Sequence, residues 1–185
     1  MKTAVTLLAV ATIFLAPGLS AAQSVAIVVS SPANIGIQES DGEVSPVVQL
    51  YVGRGDELSS RLRFDAAARE YSRAADVARG EGHLPSATSW KVASAHYFDG
   101  NFIGAAAALD QLAEEAARVG DLQVEALAIY YSAWLNGKAG RKAELSTRIA
   151  RLEGLLRSQY MPVAIRDRVS GWLRTTKEVA VELPN

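Results

Sequence analysis

Side chains that could carry out chemistry are few in this sequence, and their spacing does not form a catalytic pattern. The chain has two histidines, His83 and His96, and no cysteine. Nucleophilic catalysis needs a serine, cysteine or lysine that is activated by a positioned base, and no triad can be assembled around either histidine. Two histidines thirteen residues apart, without a carboxylate pair at ligand spacing, also do not make a zinc site. We therefore expect no catalytic residue, no metal site and no cofactor.

Other motifs that resemble functional ones also lack the context that they need. Glu114 and Glu115 are adjacent, so on a helix they point about 100° apart and cannot act together across one bond. The run Arg79-Gly80-Glu81-Gly82 lacks the preceding strand, the spacing and the lysine of a phosphate-binding loop. Arg54-Gly55-Asp56 spells a tripeptide that integrins read in extended loops, but it falls within a predicted helix. We therefore expect none of these motifs to be a catalytic or ligand-binding site.

The first 22 residues are typical of a secretory signal peptide. A lysine near the start precedes an apolar run from Ala4 to Ala16, a Pro17-Gly18 break and the small residues Ser20-Ala21-Ala22. Cleavage after them would make Gln23 the first residue of the mature protein. Because the chain has no cysteine, it can neither carry a lipid at the cleavage point nor form disulfides. We expect a periplasmic or secreted protein without a transmembrane segment after signal removal.

Residues 23–44 differ in composition from the chain that follows them. They begin with the β-branched run Val25–Val29 and continue with serine, proline, asparagine and glycine, which break helices. We interpret this segment as an N-terminal arm, either flexible or extended like a strand. A helical domain then spans residues 45–178, and residues 179–185 form a tail.

Charge is distributed unevenly along the chain. The formal net charge is only −1, which makes nucleic acid a poor candidate as a partner. Residues 23–136 hold 8 basic and 15 acidic side chains, whereas residues 137–185 hold 10 basic and 5 acidic ones. Such a basic end, with Arg148 and Arg151, could steer the protein toward an acidic partner or a second copy of itself. The alternative is that these arginines belong to an ordinary solvated helix face.

A repeat organises the helical domain. Ala67, Ala105 and Ala143 are spaced 38 residues apart, and each opens the apolar face of a helical stretch, as expected for stacked supersecondary units. Ser45-Pro46 is a helix-start signal, and Gly53 is expected to bend or break the first helix. Glycine and proline punctuation predicts helices over residues 46–62, 64–79, 86–99, 102–119, 122–136, 140–160 and 163–176.

The helical pairs resemble tetratricopeptide repeats. The spacing Phe64-x-x-Ala67-x-x-x-Tyr71-x-x-Ala74 fits the second helix of that family's unit in full, although the period of 38 residues is longer than the family's roughly 34. The match weakens in the second and third copies. The resemblance implies an all-α protein, a right-handed α-solenoid of about three helical hairpins, with a C-terminal helix that caps the last one.

The same resemblance implies that the first helix of each pair lines a concave groove. The polar and aromatic residues that it places there are Asp56, Trp90, Ser94, Tyr97, Ser132 and Asn136. If exposed, Trp90 and Tyr97 would be natural anchors for a partner, because tryptophan and tyrosine dominate interface hot spots. The alternative is that both rings fill the core.

These observations predict an exported protein–protein interaction adaptor without catalytic activity, which binds a peptide or partner protein along the groove. A second hypothesis is a structural subunit of a cell-envelope complex, in which the arm adds to a partner's sheet and the repeats self-associate. A third is a hydrolase on an α-solenoid, which would need a deep pocket with converging carboxylates.

Overall fold

A computed structural model describes residues 45–182 of the chain. The predicted signal peptide, the arm at residues 23–44 and the last three residues of the predicted tail lie outside the described residues. The described part is all-α, with seven helices and no strand. The helices are α1 (Pro46–Ser60), α2 (Phe64–Gly80), α3 (Ser86–Phe98), α4 (Phe102–Val119), α5 (Leu122–Lys138), α6 (Lys142–Leu156) and α7 (Val163–Glu182).

Local capping explains where several helices begin. The Oγ of Ser45 accepts a hydrogen bond from the amide of Val48 at 3.3 Å, and Pro46 occupies the first turn of α1, where its missing N–H is not needed. Asn101 caps α4 and Asp121 caps α5 in the same way, each accepting from an amide three residues later at 2.8 and 3.0 Å. Since α1 runs unbroken from Pro46 to Ser60, the expected break at Gly53 is wrong.

Three-residue turns join α1 to α2, α3 to α4, and α5 to α6. The middle residues of these turns are Leu62, Gly100 and Gly140, and all three have left-handed backbones, with φ of 59°, 78° and 71°. Only glycine adopts this region without steric cost. Leu62 therefore holds a strained position that the next two turns give to glycine, and its side chain is 75% exposed.

The second helices of the three hairpins, α2, α4 and α6, begin 38 and then 40 residues apart. Helix α4, the connection after it and α5 together run two residues longer than the corresponding segments before them. Counted from the start of each second helix, Leu145 therefore takes the place of Ala67 and Ala105, and all three are buried. The prediction that Ala143 opens the third apolar face is wrong, because Ala143 is exposed.

Each helix packs against its neighbours in the chain, and α7 packs against both α5 and α6. Helix α5 is buried on nearly all sides, as its continuous apolar character predicts. Side-chain contacts also join odd-numbered helices to one another and even-numbered helices to one another. These contacts are Asp56–Lys91 (α1 to α3), Trp90–Tyr131 (α3 to α5), Tyr130–Trp172 (α5 to α7), Arg79–Glu115 (α2 to α4) and Asp110–Arg148 (α4 to α6).

Candidate functional site

A cleft of about 410 Å³ opens between α1 and the first half of α3. Its walls are largely apolar, with Val48 and Val52 on one side and Leu84 and Pro85 on the other. Two features leave this space open. On α1, Val52 and Gly53 have side chains too small to fill the space. The connection from α2 to α3 is also longer than the connection from α4 to α5, with five residues instead of two. We refer to this space as the α1–α3 cleft.

A charged pair lies at one end of the α1–α3 cleft. The carboxylate Oδ1 of Asp56 accepts hydrogen bonds from the Tyr71 hydroxyl and from Nζ of Lys91, each at 2.7 Å. The same Nζ lies 5.3 Å from the centroid of the Tyr71 ring, within reach of a cation–π interaction. Burial, and then the carboxylate of Asp56, raise the pKa of the Tyr71 hydroxyl, so it stays protonated and keeps donating. The lining of the cleft therefore contains a carboxylate and an ammonium group, held together as an ion pair, beside its apolar walls.

Trp90 is not an exposed anchor. Its side chain is fully buried, and its ring meets that of Tyr131 edge-on, with 5.1 Å between centroids. The expectation of an exposed groove residue is wrong here, because α5 covers this face of α3. Tyr97 is half-buried, and its ring lies 5.7 Å from that of Trp134, while burial raises its pKa. The core-filling alternative thus holds for Trp90 and largely for Tyr97.

Ser132 and Asn136 are also fully buried, so their predicted place in an open groove is wrong. The Ser132 hydroxyl donates to Oδ1 of Asp110 at 2.5 Å and accepts from Nε of Arg148 at 2.8 Å. Nδ2 of Asn136 donates to the backbone oxygen of Ser132 at 2.8 Å. The cause is that α4 and α6 pack against α5 on both sides, and Ser132 is bonded between Asp110 of α4 and Arg148 of α6. Ser94 is half-buried on α3 and does not line the cleft.

The two arginines assigned to a basic end are paired with carboxylates. Arg148 binds Asp110, and Arg151 binds both Glu114 and Glu125, the latter through Nη2 at 2.7 Å. Asp110 and Glu114 belong to α4 of the preceding hairpin, and Glu125 belongs to α5, in the same hairpin as α6, so the arginines of α6 neutralise acids of both. Both arginines are therefore paired within the chain, and the expected steering role of this basic end stays a prediction.

Of the predicted polar and aromatic groove residues, Asp56 alone lines the cleft. The spacing that predicts Asp56 on the groove side also predicts Val52 there, and Val52 lines the cleft. Sequence analysis did not single out Lys91, Val48 or Leu84. One signal could have identified Lys91: it carries the opposite charge to Asp56 and lies 35 residues later, close to one repeat, on the next first helix. Val48 and Leu84 have no comparable signal, because valine and leucine are ordinarily core residues.

In the part of the chain that the structure describes, no three His, Cys, Asp or Glu side chains are grouped so that they could hold a metal ion. Over the same residues, none of the helices combines the length and the apolar character needed to cross a bilayer. No protein-family model, curated protein or solved structure matches the chain. Among the described residues, the α1–α3 cleft brings apolar side chains and the Asp56–Lys91 pair together in one concavity.

Proposed function

We propose that this protein is an exported, non-catalytic adaptor that binds a short segment of a partner protein in the α1–α3 cleft. The observation that carries the proposal is the combination of apolar walls with the Asp56–Lys91 pair in one cleft of about 410 Å³. Sites that bind specific ligands are mostly apolar concavities of roughly 300–1,000 Å³ with a few placed polar groups. The arrangement suits an extended peptide with aliphatic side chains and a polar flank.

We propose further that the scaffold is a tetratricopeptide-like, right-handed α-solenoid of three hairpins, with α7 as its cap. Two observations support this. The odd-numbered helices contact one another in series and the even-numbered helices do likewise, as stacked hairpins require. The residues of α2 that carry the resemblance also have packing roles, since Ala67 and Ala74 are fully buried and Tyr71 nearly so.

Gly53 offers a direct test of the cleft. It lines the cleft, and a Cβ added there would meet no atom within 4 Å, so α1 accepts a larger side chain at this position. We would select peptides from a displayed library on the purified protein and measure their binding by fluorescence anisotropy. Gly53→Trp fills the cleft, and we expect it to weaken binding at least tenfold.

Two variants control for indirect effects. Gly53→Ala adds one methyl group at the same place, and Gly154→Trp adds the same indole on α6, where an added Cβ also meets nothing within 4 Å. Both should bind the selected peptides within about twofold of the unchanged protein. Failure to select any peptide, or equal binding by Gly53→Trp, would overturn the proposed role of the cleft.

Export is a separate part of the proposal and has its own test. N-terminal sequencing of the protein from its native host should give Gln23 as the first residue, with the protein recovered outside the cytoplasm. A cytoplasmic protein that keeps residues 1–22 would overturn export while leaving the cleft untouched.

A further inference from the structure

The three-residue turns at one end of the helices lie side by side. The ring of Phe64, which begins α2, contacts that of Phe98, which ends α3, with 5.4 Å between centroids. The ring of Tyr97 lies 5.7 Å from that of Trp134, and Nζ of Lys138 lies 5.3 Å from the centroid of the Trp134 ring. These contacts bring the α1–α2, α3–α4 and α5–α6 turns together along one edge. We call it the turn edge, which comprises residues 60–64, 98–102 and 138–142.

The turn edge exposes large apolar side chains to solvent. Leu62 is 75% exposed and Phe98 is 48% exposed, and Ile103, which directly follows the edge on α4, is 53% exposed. Leu62 also has a left-handed backbone, with φ of 59°, which is costly for a residue with a side chain. Backbone strain of this kind clusters at functional sites, and exposed apolar patches mark interaction surfaces. The turn edge is therefore a candidate docking surface.

The turn edge carries an excess of positive charge. Its acidic side chain is Asp99, and its five basic side chains are Arg61, Arg63, Lys138, Arg141 and Lys142. Two of these arginines pair with Glu57 and Glu144, which lie just outside the edge. The pairing leaves the Arg61 side chain 65% exposed and the Arg141 side chain 38% exposed. The net charge stays positive even when both carboxylates are counted, so the edge complements an anionic surface.

The opposite ends of the helices differ in charge. The connections there span residues 80–86, 119–122 and 156–163, and they hold two carboxylates, Glu81 and Asp121, against one arginine, Arg157. They also expose apolar side chains, with Val119 67% exposed and Tyr160 77% exposed. Of the two ends, the turn edge is thus the one that combines exposed apolar side chains with an excess of positive charge.

We propose that the turn edge docks on the surface of an anionic lipid bilayer. Leu62 and Phe98 enter the boundary between headgroups and acyl chains, and the basic side chains lie at the level of the lipid phosphates. Such a surface offers apolar depth beneath negative charge, and it attracts each nearby lysine or arginine. The apolar stems of Arg61 and Arg63, on either side of Leu62, let both charges stay at the phosphates while the leucine lies deeper. This docking is independent of the α1–α3 cleft, whose lining includes no residue of the turn edge.

Leu62→Gly separates docking from folding, because glycine accepts the left-handed backbone and the variant should be at least as stable. We would measure cosedimentation of the protein, in the form that its native host accumulates, with vesicles of phosphatidylcholine and phosphatidylglycerol. The unchanged protein should bind these mixed vesicles at least tenfold more tightly than vesicles of phosphatidylcholine alone. Leu62→Gly should weaken binding to the mixed vesicles at least fivefold while the circular dichroism signal stays helical. No binding by the unchanged protein, or equal binding by Leu62→Gly, would overturn the proposal.

Helix α4 supplies a matched pair of apolar residues. Ile103 lies at its start, beside the turn edge, and Val119 is its last residue, at the opposite end. Ile103→Gln should weaken binding to the mixed vesicles at least threefold, whereas Val119→Gln should change it less than about 1.5-fold. Equal effects of the two substitutions would show that the bilayer does not contact the turn edge.

Removal of charge gives a second matched pair. Arg63→Gln with Lys138→Gln removes two positive charges from the turn edge, and Arg118→Gln with Arg157→Gln removes two from the opposite end. The first double variant should weaken vesicle binding at least fivefold and reduce its salt dependence, and the second should weaken it less than twofold. Equal losses would assign binding to total charge and contradict the proposal. A dimer that Leu62→Gly dissociates, without vesicle binding, would overturn the bilayer in favour of a second copy.

Discussion

The guanidinium of Arg148 on α6 lies against the carboxylate of Asp110 on α4, with Nε 2.9 Å from Oδ1. The two residues are 38 positions apart in the chain, and Ser132 of α5 bonds to both. Three helices are thus joined by one polar cluster. At these residues, the acidic body and the basic end seen in the sequence are complementary halves of contacts within the protein.

Replacing Arg148 by methionine should destabilise the protein. The change leaves Asp110, whose side chain is 33% exposed, without its cation and removes charge-assisted hydrogen bonds. We expect the free energy of unfolding to fall by about 2 kcal/mol in urea denaturation. The matched control is Arg69→Met, since the pair of Arg69 with Asp65 is well exposed and should contribute less than about 0.5 kcal/mol. Equal losses in the two variants would contradict this reading of the cluster.

Two glycines of α1 should respond in opposite ways to alanine. A Cβ at Gly55 would lie 2.4 Å from Cε1 of Tyr71, a ring that is buried and held by Asp56, so Gly55→Ala should cost about 1–3 kcal/mol. A Cβ at Gly53 meets nothing, so Gly53→Ala should gain up to about 1 kcal/mol from helix propensity. Thermal unfolding of both variants tests this, and stabilisation by Gly55→Ala would show that α1 and α2 are not packed as described.

Trp90→Ala should destabilise the folded protein. The ring is fully buried against Tyr131, and truncating a buried aromatic side chain costs about 3–5 kcal/mol. We expect a large fall in the melting temperature followed by circular dichroism. Tyr160→Ala, at a side chain 77% exposed, should change stability by less than about 0.5 kcal/mol. A Trp90→Ala protein with unchanged melting would place the ring outside the core.

Leu62→Gly should stabilise the protein. A left-handed backbone costs a residue with a side chain about 1–2 kcal/mol, whereas the extra freedom of glycine in the unfolded chain costs about 0.5–1 kcal/mol. Relief of strain therefore exceeds the entropic loss, and we expect a gain of about 0.5 kcal/mol or more in urea denaturation. The reverse substitution in the next turn, Gly100→Leu, should lose stability. A loss in both variants would mean that the Leu62 side chain makes a stabilising contact.

His96 should make stability depend on pH. Burial lowers the pKa of the half-buried imidazole below its usual 6.5, although the nearby carboxylate of Asp99 opposes the shift. As pH falls through 6.5, the unfolded chain therefore takes up a proton before the folded protein does, and the free energy of unfolding decreases. His96→Gln should remove this part of the decrease between pH 7 and pH 5 in urea denaturation. An identical pH dependence in the two proteins would contradict it.

Helix positions were predictable because their signals are local. Residues 102–119 were predicted as a helix, and α4 spans Phe102–Val119. An asparagine cap precedes it and Gly120 in a left-handed conformation ends it, so both boundaries depend on neighbouring residues. The register of the third unit was missed for a related reason. The 38-residue spacing of Ala67, Ala105 and Ala143 does not show that the stretch from the start of α4 to the end of α5 is two residues longer than the stretch from the start of α2 to the end of α3.

The sequence by itself determined that this chain forms a series of helices and where most of them begin and end, and it placed Asp56 among the candidate binding residues. Only the tertiary structure decided which faces remain open. It buried Trp90, Ser132 and Asn136, paired Arg148 with Asp110, and left a cleft between α1 and α3. The physical reason is that hydrogen bonding and capping act within a few residues along the chain. The exposure of a helix face depends instead on helices that pack over it from far along the sequence.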